Sequence, residues 1–199
     1  MKSGLARLAS RRAPLQIAGM AEGDQPPSDR TVEVEGNRLT LLTEGPDRLE
    51  ALLALIDGAQ RSVRLLYYIY KDDEAGTLLL LAMERALGRG VAVSLLVDSF
   101  GAYTPDQYFQ PLIAKGLTYG RFHPTFGRRY LIRNHQKLAM ADDRLVVIGG
   151  FNIEDSYFGR IEDGAWRDLG LLVDGPAVAR LSGYYDALLA WTLEKGAKI

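Results

Sequence analysis

The feature that most constrains this chain is an alternation of short apolar runs with longer segments of helical periodicity. Two strand-like runs, SVRLLYYIY and VAVSLLVDSF, follow the helix-like segments GPDRLEALLALIDGA and DDEAGTLLLLAMERALGRG, respectively. A further strand-like run, WRDLGLLVDG, precedes the closing helix-like segment PAVARLSGYYDALLAWTLEKG. Strands that alternate with helices of this length are typical of an α/β fold with helices packed on the faces of a sheet.

Two predicted hairpins make that sheet mixed rather than purely parallel. TVEVEGNRLTLL alternates around Gly36-Asn37, and residues 135 to 151 form two strand-like arms around Asp142-Asp143. The 199 residues, 47% of them apolar, suit one domain with a sizeable core. We therefore predict one α/β domain over residues 31 to 199, after a flexible basic and polar tail over residues 1 to 30.

Composition excludes some site chemistries. A chain without cysteine has no disulfide, thiolate nucleophile or cysteine metal site. A formal net charge of −1 disfavours a nucleic-acid partner, because such binders usually carry a basic domain or stripe. No apolar run approaches the roughly 18 residues of a membrane span, and arginines interrupt the apolar stretches of the first 20 residues. Neither a span nor a cleaved signal is predicted.

One of the two histidines lies in the second hairpin, with a lysine two positions later. Residues two apart in a strand share a face, so His135 and Lys137 are expected to project together. Ala139 and Ala141 are expected to leave the same face open beyond them. A histidine in such a strand is usually an ordinary surface or core residue, so the surrounding pattern must carry any catalytic interpretation.

The length of the hairpin turn decides what lies opposite the histidine. If Asp142-Asp143 is a two-residue turn, His135 is opposite Gly150. A slightly longer turn moves the opposite position to Phe151 or Asn152. Either register brings the sequence GGFN beside the histidine and the lysine.

Each member of this cluster suits a phosphate group. The imidazole of His135 is a nucleophile or an acid and base near neutral pH, and the ammonium of Lys137 is a compact counter-charge. Gly149 and Gly150 let the backbone approach a bulky anion closely. Asn152 carries a donor amide, and all five residues are therefore candidate site residues.

Two acidic residues near the cluster are expected to be structural. Asp142 is at an odd spacing from His135, so it is expected to face away and to fix the turn. Asn152 is also placed to cap a helix through IEDSYF, with Asp155 at the third helical position. A helix beginning there would direct unpaired N–H groups at the same anion.

The pattern His135-x-Lys137-x4-Asp142, followed by Gly149-Gly150-x-Asn152, resembles the HKD motif of the phospholipase D superfamily. The resemblance covers about residues 38 to 190 and is to the amino-terminal half of bacterial cardiolipin synthases. It is carried by the segments YYIYKDDEAG, GVAVSLLVDSFGA, RNHQKLAMADDRLVVIGGFNIEDSYFG and WRDLGLLVDGPAV. The family fold, a mixed sheet flanked by helices, agrees with the alternation described above.

The resemblance implies a phosphodiester chemistry without metal or cofactor, through a phosphohistidine. His135 is then the nucleophile or the acid and base, while Lys137 and Asn152 bind phosphate and Asp142 is structural. Asp168, in the sequence WRD, is expected to orient the histidine, because an aspartate on one ring nitrogen fixes the tautomer. An ion pair with Arg167 on a strand surface is the alternative for Asp168.

Several arginines and the second histidine are less informative. The arginines before the motif are expected either to hold a second phosphate or to form a solvated loop: Arg121, Arg128, Arg129 and Arg133. Of these, Arg133 is the candidate substrate-binding residue. His123 has Thr125 at +2 and Tyr130 at +7, so it is not a second HKD motif, and a structural role is expected.

The chain departs from the family in having one HKD motif where family sites use two. It is therefore expected either to pair with a second copy of itself or to be the first half of a longer or split protein whose other part carries the second motif. The predicted function is a phosphatidyltransferase or phospholipase D-type enzyme acting on a phospholipid such as phosphatidylglycerol. Its expected location is cytoplasmic, peripherally associated with the surface of the inner membrane. A phosphodiesterase nuclease and a non-catalytic half that pairs with an intact enzyme are the alternatives.

Overall fold

The structure, a computed structural model, describes residues 30 to 123 and 133 to 194. The predicted tail, apart from Arg30, lies outside these residues. The strands are β1 (Thr31–Val34), β2 (Asn37–Leu42), β3 (Ser62–Tyr67), β4 (Ala92–Asp98), β5 (Thr118–Phe122), β6 (Leu138–Ala141), β7 (Leu145–Gly149) and β8 (Gly170–Asp174). The α-helices are α1 (Gly45–Gly58), α2 (Glu74–Gly88), α3 (Gln110–Ile113) and α4 (Val178–Leu193).

The eight strands form one mixed sheet in the order β1-β2-β8-β7-β6-β3-β4-β5. Strands β3, β4 and β5 are parallel, whereas every pairing from β3 through β6, β7, β8 and β2 to β1 is antiparallel. The parallel and antiparallel parts therefore meet where β3 pairs with β6. The predicted α/β class, with a mixed sheet and flanking helices, is confirmed.

The core divides between the two faces of the sheet because side chains alternate along each strand. In β3, Val63 and Leu65 point into the larger cluster, which α1 and α2 cover, while Leu66 points into a smaller cluster against α4. Helix α1 contributes an apolar stripe that includes Leu52 and Ile56. Full burial of such a side chain contributes about 1.5 to 3 kcal/mol to folding.

The strand of the second hairpin is shorter than predicted. β6 begins only at Leu138, so His135 and Lys137 lie in the irregular segment that precedes the strand. Ala139 and Ala141 are fully buried in the larger cluster, and the expectation that they leave an open face is wrong. Their small side chains let α1 pack closely over β6 and β7.

The turn at Asp142 and Asp143 is confirmed, but the loop of the hairpin also includes a third residue, Arg144. Both aspartates have positive φ, 55° and 60°, and the N–H of Arg144 donates to the carbonyl of Ala141 at 3.0 Å. Ala141 nevertheless pairs with Leu145 rather than with Arg144. This register places His135, by continuation, opposite Phe151, so the alternative that places it opposite Gly150 is wrong.

Candidate active site

The candidate site lies beside the carboxyl ends of β3 and β4, where the segment from Arg133 to Lys137 enters β6. The carboxylate of Asp98, at the end of β4, is buried and accepts hydrogen bonds from the N–H groups of Asn134 and Phe100 at 2.9 and 2.8 Å. The Asn134 side chain in turn accepts the N–H of Gln136 at 3.0 Å. Asp98 thus fixes the backbone immediately before His135.

His135 and Lys137 share their surroundings without being part of a strand. The exposed imidazole of His135 stacks on the ring of Tyr68, with ring centroids 3.9 Å apart and an interplanar angle of 28°. The ammonium of Lys137 donates to the His135 carbonyl at 2.5 Å and lies 5.5 Å from the centroid of the same tyrosine ring. Partial burial lowers the pKa of Lys137, an effect that the carboxylate of Asp168 opposes.

The two glycines of GGFN allow a second chain segment to cross the hairpin. A Cβ atom on Gly149 would lie 2.6 Å from the carbonyl oxygen of Leu169, and one on Gly150 would lie 2.7 Å from Oδ1 of Asp168. Residues 168 and 169 therefore lie where side chains at positions 149 and 150 would otherwise be. Contact of Gly149 and Gly150 with substrate stays a prediction.

Asp168 is brought to the site by this crossing, with its carboxylate over Gly150. Its Oδ1 accepts the N–H of Leu169 at 2.6 Å. Within residues 30–123 and 133–194, no hydrogen bond joins the carboxylate to the ring of His135, whose contact is the stack on Tyr68. The orienting role of Asp168 therefore stays a prediction.

Asn152 is buried, and its amide is engaged by the protein. Its Oδ1 accepts the N–H of Ile69 at 3.1 Å, and its Nδ2 donates to the Tyr157 hydroxyl at 3.2 Å. The predicted helix cap is wrong, because only a three-residue 3-10 helix, Asp155–Tyr157, follows, and no side chain caps it. The carboxylate of Asp155 instead accepts the N–H of Ala75 in the first turn of α2, at 2.7 Å.

The carboxylate of Asp142 binds the backbone that leads into β3. It accepts three N–H groups, those of Gln60, Arg61 and Ser62, at 2.8 to 2.9 Å. Partial burial raises the pKa of Asp142, but these three hydrogen bonds and the charge of Arg61 outweigh it, so the pKa lies below its ordinary value. Asp142 therefore joins the hairpin turn to the loop between α1 and β3.

Replacement of Asp142 by asparagine is expected to lower the free energy of unfolding by about 1 to 3 kcal/mol at pH 7. The wild-type contribution is fully present above the unfolded pKa of about 3.9, and is lost as pH falls through the lower folded pKa. Urea unfolding measured from pH 7 to pH 2.5 should therefore show the two proteins converging in acid. A constant difference across this range would contradict the role of the charged carboxylate.

Arg48 is a site-supporting residue that sequence reasoning missed. It is 0% exposed, and its guanidinium donates to the backbone carbonyls of Thr43, Tyr157 and Asp168 at 2.9, 2.8 and 2.7 Å. The guanidinium also lies 5.7 Å from the centroid of the Phe151 ring. Burial lowers its pKa, against the opposing charge of Asp168. Arg48 thus connects the start of α1 to the segments at Tyr157 and Asp168, which both follow GGFN in the chain.

A signal for Arg48 was present in the sequence. The residue lies four positions before Leu52 and seven before Leu55, on the stripe of α1 that faces the core. A charged residue on a buried stripe must find partners inside the protein, because an unpaired buried charge is very costly. That pattern predicts an internal hydrogen-bond network, although not its partners.

Of the four arginines before the motif, the structure describes Arg121 and Arg133. Arg121 donates to the carbonyls of Ala102 and Thr104 and forms an ion pair with Asp106, so it holds its own loop. The guanidinium of Arg133 lies 3.7 Å from the centroid of the Phe100 ring. Residues 128 and 129 lie outside the described residues, and substrate binding by Arg133 stays a prediction.

The described part of the chain contains neither a metal-binding cluster nor a membrane-spanning helix. Between residues 30 and 123 and between 133 and 194, no group of three or more His, Cys, Asp or Glu side chains is arranged to hold a metal ion. In the same residues, none of the helices combines the length and the apolar character needed to cross a membrane.

The arrangement places two charged groups, the ammonium of Lys137 and the carboxylate of Asp168, near the exposed imidazole of His135. An exposed imidazole is stacked on an aromatic ring, an ammonium lies 5.5 Å from the centroid of that ring, and a carboxylate lies over Gly150. An imidazole can attack phosphorus or transfer a proton, and an ammonium can neutralise phosphate oxygens. These groups therefore have the chemistry needed to bind and attack an anionic phosphate ester.

Comparisons with known proteins agree with this chemistry. A family model described as "Cardiolipin synthase, PLD-like domain" matches residues 52 to 182. The chain is 36% identical over 157 residues to a cardiolipin synthase of Listeria innocua, an alignment that covers 76% of this chain and 33% of that protein. The chain thus spans about a third of the length of the curated relatives it matches.

Solved structures show the same fold. NucT from Helicobacter pylori superposes with a TM-score of 0.64 at 19% identity, covering 77% of this chain and 96% of that one. A phosphatidylserine synthase of Haemophilus influenzae also gives a TM-score of 0.64, at 16% identity, covering 84% of this chain and 39% of that one. Given the family match over residues 52 to 182 and the 36% identity, the chain belongs to the family of cardiolipin synthase, phospholipase D-like domains.

Proposed function

We propose that this chain supplies one half of a phosphatidyltransferase site of cardiolipin synthase type, in which His135 forms a phosphohistidine. The observation that carries the proposal is the placement of His135 and Lys137 next to the same ring, that of Tyr68, with the carboxylate of Asp168 over the nearby Gly150. The cardiolipin synthase relatives support a phospholipid substrate such as phosphatidylglycerol, met at a membrane surface. The cytoplasmic face of the inner membrane is part of the same proposal.

The reaction has two displacements at phosphorus. A ring nitrogen of His135 attacks the phosphodiester, a P–N bond forms, and the P–O bond to the leaving alcohol breaks with its electron pair. An acid protonates the departing alkoxide. A base then removes the proton of the acceptor alcohol, whose oxygen attacks phosphorus and releases the imidazole. Water in place of the alcohol gives hydrolysis.

The neighbouring side chains have distinct tasks in this proposal. Lys137 neutralises the charge on the phosphate oxygens, for which it exchanges its hydrogen bond to the His135 carbonyl. Asp168 stabilises the imidazolium that forms as the ring attacks. Gly149, Gly150, Asn152 and Arg133 line the phosphate pocket.

The acid and base of this reaction require a second histidine, which a second half supplies. The single HKD motif in these 199 residues supports such a pairing. The partner is a second copy of the chain or a different polypeptide with its own HKD motif. Gel filtration separates these cases, since an active dimer of this chain alone requires no other protein.

The proposal is tested by incubating the purified chain with vesicles that contain phosphatidylglycerol with a radioactive phosphate. Wild type is expected to form cardiolipin or phosphatidic acid and to carry acid-labile, base-stable label on protein quenched during turnover. Addition of EDTA is expected to leave the rate unchanged, because the imidazole and the ammonium provide the charge stabilisation. Turnover without any labelled protein would refute the phosphohistidine, and loss of turnover with EDTA would refute the metal-free route.

A phosphodiesterase nuclease is a second candidate, favoured by the single HKD motif in the sequence. The net charge of −1 argues against it. A nuclease is expected to bind DNA with an affinity that falls steeply with salt, since each neutralised phosphate releases counterions. Binding and cleavage of DNA at 50 and 200 mM salt, beside the vesicle assay, discriminate the two. An inactive monomer in both assays would indicate a non-catalytic half.

A further inference from the structure

We infer that Tyr68 is a positioning residue for His135, an inference that rests on the proposed function. Tyr68 follows directly on β3, and its half-buried ring carries the stacked imidazole. Neighbouring Tyr67 and Tyr70 are fully buried in the core, which is the role that their sequence context suggests for all three tyrosines. Tyr68 differs in facing the candidate nucleophile.

The stack limits the orientations open to the imidazole. With centroids 3.9 Å apart and planes 28° apart, the two rings lie face to face, so the in-plane lone pair and N–H of the imidazole point along the tyrosine face rather than into it. Rotation of the imidazole about its Cβ–Cγ bond would drive a ring edge into the phenol. The ammonium of Lys137 lies 5.5 Å from the centroid of the same tyrosine ring.

Tyr68 is itself held from the opposite loop. A Cβ atom on Gly101 would lie 2.8 Å from both Cε1 and Cζ of Tyr68 and 2.4 Å from its carbonyl oxygen. The backbone of Gly101 therefore lies directly against this residue, and only glycine allows that approach. The N–H of Gly101 is 3.4 Å from Oδ1 of Asp98, whose other oxygen binds the N–H of Asn134. One buried carboxylate thus places both the loop beneath Tyr68 and the residue before His135.

The aromatic face also favours the charge that the reaction creates. As the ring nitrogen of His135 attacks phosphorus, the imidazole acquires positive charge, and the negative face of a phenol ring attracts a cation stacked on it. The benefit is larger in the transition state than in the free enzyme. Loss of the ring is therefore expected to reduce kcat more than it raises KM.

The experiment compares Tyr68→Phe, which keeps the ring, with Tyr68→Leu, which removes it. Phosphatidyl transfer from phosphatidylglycerol vesicles is expected to fall roughly 10- to 100-fold in kcat for Tyr68→Leu, with KM within roughly threefold, because small misplacements of a reacting group are costly. Tyr68→Phe should stay within roughly threefold of wild type. Tyr103→Leu is the matched control, since this tyrosine is 80% exposed in the same loop as Gly101.

A second measurement reports the stack without any turnover. The chain has two histidines, so the imidazole C–H signals of His135 can be compared with those of His123 in a proton–carbon NMR spectrum. Stacking on an aromatic face shifts the His135 signals upfield in wild type and in Tyr68→Phe, and Tyr68→Leu abolishes the shift. His135 signals without an upfield shift in wild type would overturn the inference even if the leucine variant failed to fold.

The two measurements separate this inference from the proposed function. An upfield-shifted His135 in a wild-type chain that transfers no phosphatidyl group, either as a dimer or with a polypeptide that supplies a second HKD motif, refutes the function and leaves the placement of the imidazole supported. Full kcat in a folded Tyr68→Leu variant refutes the positioning role and leaves the function intact. An equal loss in Tyr68→Leu and Tyr68→Phe would also overturn it, because the hydroxyl rather than the ring would then be responsible.

Discussion

Replacement of His135 by asparagine is expected to reduce phosphatidyl transfer by at least about 10³-fold, because it removes the nitrogen that is proposed to form the P–N bond. Asparagine keeps a polar side chain of similar reach but has no nucleophilic nitrogen. The His135 ring is exposed and its one described contact is the stack on Tyr68, so the free energy of unfolding should change by less than about 1 kcal/mol. The rate is measured with phosphatidylglycerol vesicles, and stability by urea unfolding.

His123→Asn is the matched control for that variant. It removes the other imidazole of the chain, whose Nδ1 lies 2.8 Å from the Ser99 hydroxyl. We expect its activity to stay within roughly threefold of wild type, as for most surface substitutions away from a site. A His135→Asn variant that keeps more than a tenth of wild-type activity would exclude this imidazole as the nucleophile.

Replacement of Arg48 by methionine is expected to destabilise the protein by about 3 kcal/mol or more. The three backbone carbonyls that the guanidinium binds would lose this donor inside the protein, and each such loss costs about 1 to 3 kcal/mol. Arg48→Lys should recover only part of this energy, because one ammonium cannot reproduce the planar fork that reaches three segments. Urea unfolding with a shared slope measures both differences.

Arg85→Met is the matched control for Arg48→Met, because it makes the same substitution on an exposed helix face. Arg85 lies in α2 and forms a bidentate ion pair with Asp57, at 2.9 and 2.7 Å, on the surface. An exposed pair of this kind contributes about 0.2 to 1 kcal/mol. An Arg48→Met variant no less stable than Arg85→Met would show that the buried network does not hold the start of α1 to the segments at residues 157 and 168.

The parts of the fold that follow from local pattern were predictable. The alternation of strand-like and helix-like segments gave the class of sheet, because period and segment length are local properties. The turn at Asp142 and Asp143 was equally local, since aspartate tolerates positive φ. The register of this hairpin was not predictable, because one extra loop residue changes the position opposite His135 from Gly150 to Phe151. The sequence of the turn itself is the same in both registers.

The candidate site was only partly predictable, because its geometry depends on contacts between distant segments. His135 and Lys137 were identified correctly as neighbours, but the reason lies in a hydrogen bond and a shared tyrosine ring rather than in strand alternation. A structural reason for the two glycines, the crossing of residues 168 and 169, was not predicted, because it depends on a distant segment of the chain. Arg48 binds a carbonyl 120 positions away, which no local pattern specifies.

β3 is an interior strand with a partner on each side, and this has a consequence for the growing polypeptide on the ribosome. Its partner on one side, β4, follows closely, but its partner on the other side, β6, begins about 70 positions later. At roughly 5 to 20 residues per second, translation leaves that side of β3 without a partner for roughly 4 to 14 s. A bare, apolar strand edge recruits other chains, so the nascent protein is most vulnerable to aggregation in this interval.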